Sequence, residues 1–235
     1  METHNTRTAR IVGSLFLLSN ATFLVGAMAL VEPALGTSDF LNLASASGSQ
    51  VMLGALLEII NGIAYLGIAF LMFPILRRNF KSLALGYVGF RLLEFVMQIL
   101  SDIAPLMLVS LSRGTVASGV PDGASLQVLG TLLVTGRFWA FQMISITFGL
   151  GALMFYTMLY QMRLIPRLVS IWGLVGAGLV LVNLLLDMFG AHLGIVENLG
   201  VLMLLNELFL GVWLIIKGFN PPEAAQGPVA AGAVS

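Results

Sequence analysis

LALGYVGFRLLEFVMQILSDIAPLMLV, residues 83–109, is the stretch on which the reading of this chain turns. It is longer than the roughly 20 apolar residues a helix needs to cross a bilayer. Four polar residues interrupt it: Arg91, Glu94, Gln98 and Asp102. At 100° per residue they fall within a wedge of about 80°, so a helix carries them as one stripe. The stripe runs about 16 Å, half the hydrocarbon thickness. Such a helix suits lipid on its apolar faces and other helices on its polar face.

The rest of the chain agrees. Of 235 residues, 58% are hydrophobic and only 9% charged, and the mean hydropathy is +0.99. Soluble domains carry about 25% charge. Six apolar segments are long enough to span: 11–31, 50–75, 83–109, 135–160, 168–188 and 199–217. All must be helical, because lipid offers the backbone no hydrogen-bond partner. The expected fold is an all-α integral membrane bundle of six transmembrane helices, one embedded domain over 1–220, with a disordered tail over 221–235. Arg7 and Arg10 before the first apolar run imitate a signal peptide, but that run exceeds the 7–15 residues of a secretory core, so it reads as a retained helix.

Basic residues set the expected orientation. Arg7, Arg10, Arg77, Arg78, Lys81, Arg163, Arg167 and Lys217 fall on one side, eight of the eleven Lys and Arg. Arg113 alone lies in an outer loop, and Arg91 and Arg137 lie inside spans. The positive-inside rule then places both termini in the cytoplasm. Short inner loops at 77–82 and 161–167 make antiparallel hairpins, with Pro166 at the turn before a helix. The outer loops are longer, 32–49 and 110–134. Segment 124–134 either extends the fourth helix or lies on the membrane surface.

The ionised residues inside the spans identify where activity would reside. One charge at mid-bilayer costs roughly 2.5–3.5 kcal/mol. Glu58, Arg91, Glu94, Asp102, Arg137, Asp187 and Glu207 facing lipid would together cost on the order of 10–20 kcal/mol, comparable to a whole folding free energy. They must turn inward and meet. Glu58, Asn61, Arg91, Glu94, Gln98 and Glu207 form the expected central cluster; Asp102, Arg137 and Asp187 form an outer group. Arg91 should pair with Glu58 or Glu207, and Arg137 with Asp102 or Asp187. Two arginines against five carboxylates leave an excess of negative charge. A proton, a cation or a water-filled cavity would compensate it. A purely structural role also fits, since buried ion pairs lock helix registry. Asn20, Gln142, Asn183 and Asn206 supply further polar groups. Trp139, Trp172, Trp213, Tyr156 and Tyr160 read as interfacial anchors.

Other chemistries are disfavoured. Without cysteine, disulfides, thiolate metal sites and cysteine nucleophiles are excluded. His4 and His192 lie outside the spans, so paired-histidine haem is not expected. No HExxH, GxSxG, P-loop or GxGxxG sequence occurs, and there is no basic tract of the nucleic-acid type. No cofactor or metal is expected. The bilayer is the expected partner, with a small molecule or proton as possible ligand.

Several strings, read together, resemble the DUF4386 family of bacterial membrane proteins. They are Thr8-Ala9-Arg10-Ile11-Val12-Gly13, Leu53-Gly54-Ala55-Leu56-Leu57-Glu58 and Ala84-Leu85-Gly86-Tyr87-Val88-Gly89-Phe90-Arg91-Leu92-Leu93-Glu94. Arg163-Leu164-Ile165-Pro166-Arg167 running into Ser170-Ile171-Trp172-Gly173, and Glu207 followed by Val212-Trp213-Leu214-Ile215-Ile216-Lys217-Gly218-Phe219-Asn220, complete the resemblance. It covers about residues 8 to 220 and implies a multi-pass protein of the bacterial cytoplasmic membrane. It supplies no substrate, cofactor or catalytic residue. Three roles follow: binding or translocation of a small polar or lipid-like molecule or proton at the buried cluster; a non-catalytic accessory subunit acting through helix contacts; and, least favoured, an intramembrane enzyme using paired carboxylates.

Overall fold

In the computed structural model, which describes residues 2–35, 47–118, 124–190 and 199–220, every apolar segment is a helix. The first rod, α1, comprises Glu2–Phe23, a π-helical stretch Leu24–Val31 and a last turn Glu32–Leu35. It is followed by α2 (Gly48–Leu76), α3 (Lys81–Ser118), α4 (Ala124–Met162), α5 (Arg167–Met188) and α6 (Leu199–Ile216). Among the described residues there is no strand. Five of the six helices are long and apolar enough to cross a membrane; the apolar run of α6, Gly200–Ile216, is shorter.

Packing follows chain order. Each helix lies against the next, and α6 returns to α1, which closes a ring. The Arg77–Phe80 and Arg163–Pro166 turns lie at one end, the basic end, with the start of α1 and the finish of α6. Asn220 ties them there: its N–H donates to the Leu164 carbonyl at 2.8 Å and its Nδ2 to the Arg163 carbonyl at 3.0 Å. At this end the ring is filled. Phe16, Tyr87, Phe155 and Tyr156 stack across it, with Tyr87 and Phe155 4.9 Å apart between ring centres. A smaller apolar cluster of Val31, Ala34, Leu35, Val51, Leu108 and Val109 closes the far end.

One reading of the sequence changes and one open alternative is decided. The loop expected from residue 32 begins later, because Glu32 and Pro33 belong to α1. Proline reads as a breaker since it lacks an N–H and crowds the carbonyl four residues back. Here the turns before it are π-helical, with the Glu32 N–H bonded to the Ala27 carbonyl, and this wider winding accommodates the ring. Segment 124–134 extends α4, whose 39 residues measure about 58 Å against a hydrocarbon thickness of about 30 Å. Tyr156 is corrected as well: it is no interfacial anchor but 1% exposed, with its ring against Gly173, where a Cβ would collide with it. The tail over 221–235 and His192 lie outside the described residues.

The α1–α2 contact depends on two glycines. A Cβ on Gly26 would stand 2.9 Å from the Gly54 carbonyl oxygen, and a Cβ on Gly54 2.9 Å from that of Gly26. Backbone atoms cannot yield as a side-chain tip can, so small residues set this approach. It brings the π-helical turn of α1 against the turn of α2 that carries Glu58.

Candidate functional site

Exposure divides by polarity in the sense opposite to a soluble protein. Leu85, Leu132 and Leu168 are 63%, 65% and 80% exposed, whereas Glu58, Asp102, Arg91 and Arg137 are 1%, 2%, 4% and 4% exposed. Glu58, Arg91, Glu94, Asp102 and Arg137 are enclosed, in two layers.

The layer nearer the basic end surrounds Arg91 on α3. Its Nη1 donates to both carboxylate oxygens of Glu94, one turn on, at 3.1 and 3.0 Å. The guanidinium also lies 5.5, 5.6 and 5.2 Å from the ring centres of Tyr65, Tyr87 and Phe148. Three aromatic faces thus share one cation, a favourable arrangement once water is excluded. Glu207, on α6, lines the same space. Its Oε2 accepts from Asn20 Nδ2 at 3.3 Å, and Asn20 also donates to the Phe16 carbonyl at 2.9 Å. Among the described residues no Arg or Lys nitrogen lies within 4.0 Å of the Glu207 carboxylate. Ser19 donates to Asn61 Oδ1 at 2.5 Å, joining α1 to α2.

The second layer surrounds Arg137 on α4. Its Nη2 donates to Glu58 at 2.8 Å, its Nε to Glu32 at 3.2 Å and its Nη1 to Asp102 at 3.4 Å. One cation thereby connects α1, α2, α3 and α4. The Ser101 carbonyl joins at 3.5 Å, for a local reason. Pro105 has no N–H, so the carbonyl four residues earlier loses its helical donor, and Arg137 stands at that position. Gln98 links the layers. Its Nε2 donates to Glu58 at 2.8 Å and to Asp102 at 3.1 Å, and its side chain also lines the central cavity.

That cavity has a volume of about 240 Å³ and draws lining residues from all six helices, among them Asn20, Asn61, Arg91, Phe148, Val180 and Glu207. Glu94 and Gln98 also line it. Five of the six residues expected at the centre therefore share one space. Glu58 does not: it sits in the Arg137 layer, and neither Glu58 nor Glu207 makes the ion pair expected with Arg91. The reason is hairpin register. Glu58 and Gln98 lie nearly equally far from the Arg77–Phe80 turn, as do Tyr65 and Arg91, so an antiparallel pair sets Glu58 level with Gln98 and Tyr65 level with Arg91. Arg137 does pair with Asp102. Asp187 is absent from that group; it accepts from Asn183 Nδ2, one turn back on α5, at 3.2 Å.

Glu32 and the cage of Tyr65, Tyr87 and Phe148 escaped the sequence reading. Glu32 was hidden by the adjacent proline. Tyr87 could have been found, since it stands four residues before Arg91 on the same helical face. Asn206, read only as a polar group on α6, holds α6 to α5 by donating to the Val169 carbonyl at 3.0 Å. Among the described residues no group of three or more His, Cys, Asp or Glu is placed to hold a metal.

An apolar exterior, enclosed charges and several helices of spanning length define a multi-pass helical membrane protein. The chain belongs to DUF4386, whose description is "Domain of unknown function" and whose family model matches residues 11–218. No curated protein and no solved structure matches it.

Proposed function

We propose that this chain is a six-crossing protein of the bacterial cytoplasmic membrane, one embedded domain over 1–220 with both termini in the cytoplasm, that binds or translocates a small polar or lipid-like molecule, or a proton, at its central cavity. The cavity itself carries this reading. A bundle that used its charges only as glue would close around them. Here Arg91, Glu94 and Glu207 all line an open space of about 240 Å³. Intramembrane ionisable residues beside a cavity are a functional feature by default. The alternative, an accessory subunit without ligand, is favoured by the Arg137 layer alone, where one cation ties together acidic groups on three other helices.

Filling the cavity tests the reading. Ser145→Trp, on the cavity wall, should abolish both any proton flux into proteoliposomes loaded with a pH-sensitive dye and any small molecule that mass spectrometry finds copurifying with the wild-type chain. Flux and copurifying species unchanged in a folded Ser145→Trp protein would remove it. Orientation has its own test. The chain has no cysteine, so Lys81→Cys and Arg113→Cys, both at exposed positions, each introduce a single thiol. A membrane-impermeant thiol reagent should label them from opposite sides, Lys81→Cys from the cytoplasm. Labelling of both from one side would refute the crossing pattern.

A further inference from the structure

The charge inventory of the cavity points to its ligand. Arg91 is engaged twice, by both oxygens of Glu94 and by three aromatic rings. Its charge and that of Glu94 compensate one another. The remaining charged group is Glu207, held by the Asn20 amide at 3.3 Å; Arg91 acts on it only from beyond ion-pair distance. With Glu207 ionised, the cavity wall carries one negative charge in excess.

We propose that the cavity is a site for a small organic cation, a protonated or quaternary amine with an apolar body, whose charged head lies against Glu207. The proposal rests on the cavity reading above and narrows it to a ligand class. An anion would meet an arginine whose charge Glu94 already offsets, and it would share the cavity with the Glu207 carboxylate. A neutral molecule offers an ionised Glu207 no counter-charge, and keeping that charge buried and unpaired is costly. A bare metal ion demands several oxygen ligands, whereas the wall is mainly apolar, with Phe16, Phe23, Phe141, Phe148, Met203 and Leu204 among its side chains. Aromatic faces instead attract organic cations, as they already do Arg91. Size agrees: the cavity is smaller than the roughly 300–1,000 Å³ of pockets for drug-sized ligands.

Three probes of similar shape and different charge test this on the full-length chain in lipid nanodiscs, with empty nanodiscs as the control for partitioning. They are 2-phenylethylammonium, 2-phenylethanol and phenylacetate, titrated by calorimetry. The ammonium should bind saturably at one site, at least tenfold more tightly than either of the others. Glu207→Gln should weaken it tenfold or more with the unfolding midpoint retained, and Glu207→Asp should recover part of the loss. Equal affinity for the alcohol, or a folded Glu207→Gln protein that binds the ammonium unchanged, would overturn the proposal. Phenylacetate binding best, and losing its site in Ser145→Trp, would also overturn it while leaving the cavity reading intact. Three probes all indifferent to Ser145→Trp would overturn both. The comparison of probes on the wild-type chain decides the matter even if Glu207→Gln fails to fold.

Discussion

Arg137→Leu is expected to destabilise the folded protein by about 3–5 kcal/mol, the usual cost of removing one partner from a buried ion pair. The penalty falls on the groups left behind. Glu58 and Asp102 are almost wholly buried, and without Arg137 the Gln98 amide is the remaining side-chain donor to both. Two carboxylates would then share one neutral donor. Glu32 matters less, since its side chain is half-exposed and exposed pairs contribute about 0–1 kcal/mol. Folding free energies are about 5–15 kcal/mol, so the loss takes a large share of the total. Removing the acids as well should reverse most of it. In Arg137→Leu with Glu58→Leu and Asp102→Leu no deeply buried charge of this layer remains, and apolar replacement of a whole buried group is often neutral or better. Equilibrium unfolding in mixed micelles measures both. A single variant as stable as the wild type would mean that water reaches this layer.

Arg91→Leu should cost a similar amount, about 3–5 kcal/mol, by a different route. Its counter-ion is on the same helix, so little cross-helix ion pairing is lost. What remains is Glu94 facing a cavity that already holds Glu207, with both carboxylates deprived of the nearby cation. The aromatic cage gives this site a second signature. Arg91→Lys keeps the charge but loses the flat guanidinium that lies near three rings, and a compact ammonium does not replace it. A loss of about 1–2 kcal/mol is expected from the weakened cation–π contacts. Arg91→Leu with Glu94→Leu should return toward wild-type stability. The same unfolding measurement separates the cases: Arg91→Lys equal to wild type would show that the rings contribute nothing beyond apolar contact.

The two layers divide the labour. Removing Arg137, Glu58 and Asp102 together should leave a folded protein, because no deeply buried charge of that layer is then left without its partner. The Arg91 layer differs in that Glu207 belongs to it and, among the described residues, has no ion-pair partner. Gln98 touches both, so a ligand that displaces its side chain from the cavity wall would also disturb Glu58 and Asp102. Pro105 gives the second layer its geometry, because the carbonyl it frees on Ser101 is one of the acceptors around Arg137.

What the sequence by itself determined are properties each residue carries wherever it stands. The apolar runs, the helical state of every described span and the burial of Arg91, Glu94, Asp102 and Arg137 follow from transfer free energies that act on one segment at a time. The stripe on α3 was legible for the same reason, since four residues on one helix share a face by helical geometry alone. Which charge meets which was a different question, and only the tertiary structure decided it. Glu58 pairs with Arg137 rather than Arg91 because the α2–α3 register sets it level with Gln98. Glu32 enters the second layer because π-helical turns carry α1 past Pro33. The cavity arises where six helices close in a ring, and each contributes residues to its wall. Pairing and voids depend on the relative height and rotation of separate helices, which no single segment encodes.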